Sequence, residues 1–578
     1  MPTRLILVAG VAIAVALAAI LFLSPSQGLP PDAPTEDDMA AAIGAQIMGH
    51  LYVGHVPGRA GEVMTVPKPH HYLINQLALE SLGTDEPEIK SSHPNPWDYT
   101  ARVPYVFYGP GYVPEGREVS REVDISSMAP TYARLLGMED FEADGRPLSE
   151  IEPGPEPPRL IFTIVLDGGG WNVLQRHPGT WPHIARLMDR GTSYVNATIG
   201  SAPSVTGALH ATFGTGFYPL HHKLPGNQMR GPDGANTDAW QENADPSYLE
   251  KPTVSELWDE QTGNEAVVGT LSYEGWHLGM IGHGAQREGA DHDIAVLWDQ
   301  EENEWWINED FYELPDYLEE ADLGRLESYE EGLDDRDGID DGRWLGHTLE
   351  ELRDPELAWR PGTPAFVRFN GDAVIDIVRR ERLGEDDVSD LFWLELKMPD
   401  YAGHAWNMLS AEEADVLTEV DRQINRIKRA LDQQVGANRY VLALSADHGQ
   451  EPLPEHFGGW RISTEELKRD VEERFGDGLI EKITTVDFFV DRDFVSRRGV
   501  DLSDVARFLG TYTVGDNIPE GAAGASGVPE GRLDDALFAG AFSTEYLQSL
   551  TPERISSFGE GTYEESDLLI GEARGRWE

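Results

Sequence analysis

Three continuous apolar runs, each leading straight into polar sequence, constrain this chain more than any other feature. They are Leu160-Ile161-Phe162-Thr163-Ile164-Val165-Leu166, the run from Leu391 to Leu396, and Tyr440-Val441-Leu442-Ala443-Leu444. A strand covered on one face alternates apolar and polar residues, whereas unbroken runs of this length belong to parallel strands buried on both faces. Such strands need helices above and below, so the chain should fold as an α/β domain with a mostly parallel central sheet in a three-layer sandwich. In open α/β sheets ligands collect at the carboxyl ends of the strands. The residues just beyond the three runs, Asp167, Asp400 with His404, and Asp447 with His448, are therefore the first candidates for chemistry.

Charge narrows the partners. With 102 Asp and Glu against 45 Lys and Arg, the formal net charge is -57. A surface of that sign repels nucleic-acid backbone and anionic lipid, so no stable nucleic-acid binding is expected. Cysteine is absent, which removes disulfides, thiolate metal sites and cysteine nucleophiles together. At the front, Arg4 precedes an apolar run from Leu5 to Leu23. Nineteen helical residues at 1.5 Å each just cross a hydrocarbon layer of ~30 Å. Residues 1–27 therefore read as a membrane anchor, or as a cleaved signal peptide given the small Ser24 and Ser26. Either way the chain beyond Ser24 lies outside the cytoplasm.

Further along, residues 28–38 read as an acidic, Pro-rich stalk and 39–150 as a compact α/β piece. Residues 151–158, Ile151 to Pro158, form a stiff linker. Residues 159–578 hold the main part of the domain. Within them, about 284–390 is acidic, Trp-rich and irregular, and reads as an insertion or cap over the site.

The segment Ser204-Val205-Thr206-Gly207 opens a helical pattern that runs to Thr215-Gly216. A helix N-terminus presents free N–H groups and a positive dipole to an anion, which would help Thr206 bind phosphate and ionise. The plain alternative makes Ser204 or Thr206 an N-cap. His210 and Thr212 lie deeper in that helix and read as packing residues. His221 and His222 read as turn or supporting residues. Asp400 and His404, four positions apart at a loop-to-helix junction, can converge on one cation.

These segments together resemble the alkaline phosphatase superfamily, near its nucleotide pyrophosphatase/phosphodiesterase branch. The resemblance rests on Asp167, the Thr206 helix, Asn227 after Pro219 to Gly226, the Asp-x-x-Gly-His of Asp400 to His404, and Asp447-His448-Gly449. It implies Thr206 as nucleophile and Asn227 as a donor to a phosphoryl oxygen. It also implies two divalent metal ions, held by Asp167, Thr206, Asp400, His404, Asp447 and His448. Relatives add a final histidine near their C-terminus, but here no histidine follows His456. The matching stretch stands near the front, where His93 precedes Val103-Pro104, Ala129-Pro130-Thr131 and Asp144-Gly145-Arg146-Pro147-Leu148. This order implies a circularly permuted member with His93 as the last ligand; the alternative is a separate small domain carrying an unrelated His93.

Two divalent ions ~4 Å apart repel by roughly 16 kcal/mol at an effective dielectric of 20. Asp167, Asp400, Asp447 and an ionised Thr206 would bring the pair near neutral. Imidazole and carboxylate without thiolate suit zinc. The resemblance implies hydrolysis of a small-molecule phosphoester through a covalent phosphothreonine. Glu274 stands where monoesterases place a base, which favours a diester or nucleotide. Lys223, Arg230 or Arg287 could still serve a monoester, and an anchored phospho-headgroup transferase is a further alternative.

Overall fold

A computed structural model describes residues 29–30, 32–74, 89–241, 243–318, 321–336, 338–354, 357, 359–518, 528 and 530–563. The apolar run from Leu5 to Leu23 lies outside these residues. Among the described residues no helix is long and apolar enough to cross a membrane.

Fourteen strands and seven helices matter for the site. The strands are β1 Val63–Pro67, β2 Tyr105–Tyr108, β3 Arg117–Val119, β4 Leu160–Leu166, β5 Thr192–Tyr194, β6 Val268–Leu271 and β7 Asp293–Asp299, followed by β8 Glu304–Trp306, β9 Tyr312–Glu313, β10 Asp390–Leu396, β11 Tyr440–Ala446, β12 Ile480–Ile483, β13 Asp487–Val490 and β14 Phe538–Ser543. The helices are α1 Glu36–Gly54, α2 Met128–Leu136, α3 Thr206–Thr215, α4 Val254–Thr262, α5 Pro364–Arg380, α6 Met398–Trp406 and α7 Ala411–Leu431.

The main sheet has the order β8-β7-β6-β10-β4-β11-β2-β5-β3, with β9 also beside β7. Its centre, β7-β6-β10-β4-β11, is wholly parallel. Strand β2 runs antiparallel to both β11 and β5, so the sheet is mixed. All three apolar runs are fully buried strands, as continuous apolar sequence demands. Their register fixes the site. Leu160 pairs with Asp390 and Tyr440, and Leu166 pairs with Leu396 and Ala446, so the three strands end level.

Helices cover both faces. On one, Tyr132 of α2 bonds the Thr163 hydroxyl at 2.6 Å, and Trp393 bonds Ser255 of α4 at 3.1 Å. On the other, α7 begins with Ser410 capping Glu413 and buries Val416, Leu417, Val420, Ile424 and Ile427, a spacing of three and four that marks one helix stripe.

Several boundaries differ from the sequence reading. The stalk stretch is docked: Ala33 is buried, and the Glu36 carboxylate accepts from the Ser543 N–H at 2.6 Å. Residues 39–150 are not one compact piece. Strand β2 enters the main sheet, whereas β1 joins a second sheet of order β12-β13-β1-β14 with its own apolar core. The stretch 284–390 is not wholly an insertion either. It holds β7, a paired strand of the main sheet, and α5, a buried 17-residue helix. The elaboration between them brings Trp344 and His347 against Trp406 at the end of α6, with ring centroids 5.3 Å apart in each case. Its packing is thus a buttress to that helix. A Trp-rich acidic run lacks strand or helix period, which hid the two regular elements at its ends.

Candidate active site

Because β4, β10 and β11 end level, the residues that follow them meet. Lys397 follows β10, Asp167 follows β4 and Asp447 follows β11. Close approach is enforced by glycine. Gly168 has φ of 67°, and a Cβ there would lie 2.9 Å from the Asp400 Cα. On α6, a Cβ at Gly403 would fall 1.6 Å from Oε1 of Gln450. Gln450 wedges between the two loops, donating to the Pro399 carbonyl at 2.9 Å.

Two groups of ligand-type atoms result. In the first, His404 Nε2 is 3.1 Å from Asp400 Oδ2, and His93 Nε2 is 3.8 Å from Asp400 Oδ1. In the second, His448 Nε2 is 3.4 Å from Asp167 Oδ1 and 3.3 Å from Asp447 Oδ2. The groups adjoin, since the His93 and His448 rings stack at 3.7 Å. Donor atoms of His93, Asp400 and His448, and of Asp167, Asp447 and His448, lie within 4.8 Å of one another.

All three imidazoles are held the same way. Nδ1 of His93 faces the Ser204 carbonyl at 2.7 Å, that of His404 faces Ser91 at 2.6 Å, and that of His448 faces Gly449 at 3.0 Å. A carbonyl only accepts, so each Nδ1 carries the proton and each Nε2 turns a lone pair toward the carboxylates. This is how proteins orient imidazoles for metal. Asp167 Oδ1, Asp447 Oδ2 and His448 Nε2 are buried with no hydrogen bond. Buried polar atoms are otherwise almost always paired, so the donor set fits divalent cations.

The front segment is stitched in by backbone. Lys90 N–H donates to the His404 carbonyl at 2.8 Å, and Met408 N–H donates to the Ser91 hydroxyl at 2.9 Å. His93 thus sits among the other candidates despite its distance in sequence.

Thr206 is the first residue of α3 and is buried. Its carbonyl meets Nδ1 of His210 at 2.9 Å, and that atom is 3.8 Å from Asp447 Oδ2. The Asn227 Oδ1 accepts from the Gly207 N–H at 2.7 Å, which leaves its Nδ2 as the donor. Thr212 and His222 bond each other at 3.2 Å, and His221 bonds Asp144.

Lys397 went unread in the sequence. Buried beside the carboxylates, its Nζ lies 2.8 Å from Asp167 Oδ2 and 2.7 Å from Asp400 Oδ2. Burial alone would depress its pKa, but the charges of Asp167 and Asp400 hold it well above the usual lysine value. One ammonium does not balance this many carboxylates. Burial and the nearby Asp167 charge push Asp447 and Glu395 well up. His277 was also missed, its Nε2 being 3.3 Å from Asp167 Oδ2. His210, read as a packing residue, has a buried Nε2 without a hydrogen bond, and one of its ring nitrogens lies within 4.8 Å of donor atoms on Asp167 and His277. A His four residues after a helix start gives no sign of which face it takes. The three cations considered for phosphate lie elsewhere. Lys223 donates to the Leu220 carbonyl, Arg230 is clamped by Glu62 and Glu481, and Arg287 pairs with Glu260.

Residues 161–474 match the family described as type I phosphodiesterase/nucleotide pyrophosphatase. Over 369 residues the chain is 24% identical to a Myroides odoratus protein named calcium-transporting ATPase, covering 55% of this chain and 66% of the other. Over 415 residues it is 22% identical to alkaline phosphatase PafA of Elizabethkingia meningoseptica, covering 61% and 73%. The chain thus spans about two thirds of the length of the first of these relatives. The crystal structure of wild-type PafA matches with a TM-score of 0.52 at 19% identity, over 68% of this chain and 85% of that one. At that identity the likeness concerns the fold.

Proposed function

Because the chain belongs to the type I phosphodiesterase/nucleotide pyrophosphatase family, we propose that it hydrolyses small-molecule phosphoesters through a covalent phosphothreonine on Thr206. The observation that carries this reading is the common pose of His93, His404 and His448, with Nδ1 on a carbonyl and Nε2 toward buried aspartates. His93, Asp400 and His404 would hold one divalent cation. Asp167, Thr206, Asp447 and His448 would hold the other, and zinc suits this nitrogen and oxygen set. When bound, such ions supply positive charge beside the phosphoryl group and favour an ionised Thr206.

The chain's own part follows from its geometry. Thr206 Oγ1, at the positive end of α3, attacks phosphorus; an O–P bond forms and the bond to the leaving oxygen breaks. Asn227, fixed through Oδ1 by the Gly207 N–H, presents Nδ2 to a phosphoryl oxygen. Water then cleaves the phosphothreonine and restores the Thr206 hydroxyl.

A diester is the favoured substrate. Lys223, Arg230 and Arg287 are engaged elsewhere, and Glu274 is pushed up to about 7 by burial, with Lys397 opposing that rise. A monoester reading draws support from Lys397, a buried ammonium the structure brings to these carboxylates, and from relatives named alkaline phosphatases. The comparison that tests it is bis-p-nitrophenyl against p-nitrophenyl phosphate. A kcat/KM about tenfold or more in favour of the diester is expected, and a monoester preference would reverse the assignment.

Of residues 39–150, the part from 91 to 148 serves as the C-terminal part of the fold carried to the front, which is supported by β2 lying between β11 and β5 and by His93 reaching Asp400. The Leu5–Leu23 run anchors the domain outside the cytoplasm; a fractionation of cells expressing the full chain would test that.

A further inference from the structure

At the opposite end of the sheet from the catalytic groups, a second set of carboxylates converges. Asp259 lies in the last turns of α4, Asp293 opens β7, and Asp291 precedes it in the connecting loop. One oxygen from each lies within 4.8 Å of the others. Asp293 is near the level of Val268 and Leu391, at the starts of their strands, because Gly269 pairs with Ile294 and with Phe392. Strands rise about 3.3 Å per residue, so this cluster is roughly 20 Å from the Asp400 group.

Acidic clusters on an acidic protein are ordinary, but this one contains an orphan. Asp259 is only 4% exposed, and its Oδ1 is buried with no hydrogen-bond partner. Asp293 is 7% exposed. The nearby cation is already committed: Arg287 Nη2 is 2.9 Å from Glu260 and its Nε is 4.0 Å from Glu256. Beside the cluster is a cavity of about 230 Å³ that Asp259, Asp293, Gly289 and Asn264 help to line. Three carboxylates so placed strain one another. Burial and then the Asp291 charge push Asp259 up to about 7, and burial with the Asp259 charge pushes Asp293 well up.

We propose that Asp259, Asp291 and Asp293 form a structural calcium site, separate from the catalytic ions, that ties the end of α4 to the start of β7. An all-oxygen, carboxylate-rich set is the chemistry of a hard cation. Asp291 is exposed, so water can complete the six to eight ligands that calcium accepts. The cavity leaves room for such waters. The bound ion would neutralise the trio and fix the loop leading into a strand of the main sheet.

The test uses the full chain with its catalytic ions in place, exchanged into calcium-free buffer without chelator and titrated with calcium chloride. Calorimetry should show a single calcium taken up, with a rise in Tm and chromogen turnover unchanged. Asp291→Asn, an exposed change, should weaken uptake about tenfold or more and abolish the Tm rise while activity stays. Asp259→Asn should remove uptake as well. If wild type takes up no calcium at millimolar concentration, or if Asp291→Asn binds as wild type does, the site does not exist. A metal-free pair of carboxyls sharing a proton predicts something different: Asp259→Asn would raise Tm in calcium-free buffer, and calcium would leave wild type unmoved.

Discussion

Thr206 and Lys397 stand at opposite ends of what a sequence can disclose. Thr206 is legible because a helix start, a Thr-Gly pair and the downstream Asp-His motifs occur in one order. On the proposed mechanism, removing its hydroxyl would delete the nucleophile and one cation ligand but leave Asp167, Asp447 and His448 in place. Thr206→Ala should therefore lose several powers of ten in kcat and retain most bound metal, as read by elemental analysis beside the rate. Near-normal turnover would end the covalent mechanism. Lys397 was not legible, since one lysine before Met-Pro has no pattern. Only the level ends of β4 and β10 show that its ammonium bridges Asp167 and Asp400. Lys397→Met removes the positive charge beside Asp167 and Asp400. A monoester dianion should suffer more from this than a diester monoanion. Each 1.36 kcal/mol of lost stabilisation is about tenfold, so a monoester kcat/KM falling about tenfold further than the diester value is expected. Equal losses for both would make the lysine a structural counter-charge only.

Among the elements, α6 shows why local propensity is the wrong guide. Gly403 in a helix costs roughly 1 kcal/mol relative to alanine, so Gly403→Ala should stabilise on propensity alone. The added methyl would instead occupy the position of Gln450 Oε1, 1.6 Å away. Overpacking of this kind costs about 1–3 kcal/mol and would shift Asp400 and His404 together. The variant should show a lower Tm and reduced occupancy of the Asp400 cation; a rise in Tm would show that Gln450 yields freely. The segment from Ser91 to His93 has the same role from the other side. His93→Ala should lower occupancy of that cation and activity together, without unfolding β2, whose pairing depends on β11 and β5. No change in metal content would detach His93 from the site. The strands behind these elements were readable because buried parallel strands are unbroken apolar runs. The regular pieces inside the acidic stretch were not, since β7 mixes acid ends with an apolar middle and α5 follows irregular sequence directly.

On the scale of the whole molecule the described residues build two apolar cores, and only the larger was visible in the sequence. The smaller depends on β1 pairing with β13 and β14, more than 400 positions away in sequence, which no local period can signal. Asp487 opens β13 at that junction, and its Oδ1 is buried without a hydrogen bond. Burial is the main cause that pushes its carboxyl up to about 7; the Glu62 charge adds to the rise, while a bond from the Gly61 backbone opposes it. The folded chain thus holds this proton more tightly than the unfolded one, where an aspartate titrates near 3.9. The stability that Asp487 contributes is fully present below that unfolded value and is lost as pH rises through about 7. Asp487→Asn imitates the protonated form at every pH. It should fall about 2 kcal/mol below wild type near pH 4, for the new amide's unmade hydrogen bonds, and lie about 2 kcal/mol above it at pH 8. Urea unfolding of both chains at the two pH values reads the difference, and self-repulsion from the net charge of -57 largely cancels because it acts on both chains. A variant no more stable than wild type at pH 8 would mean that the Asp487 carboxylate is solvated or paired, and that the smaller core does not bury it.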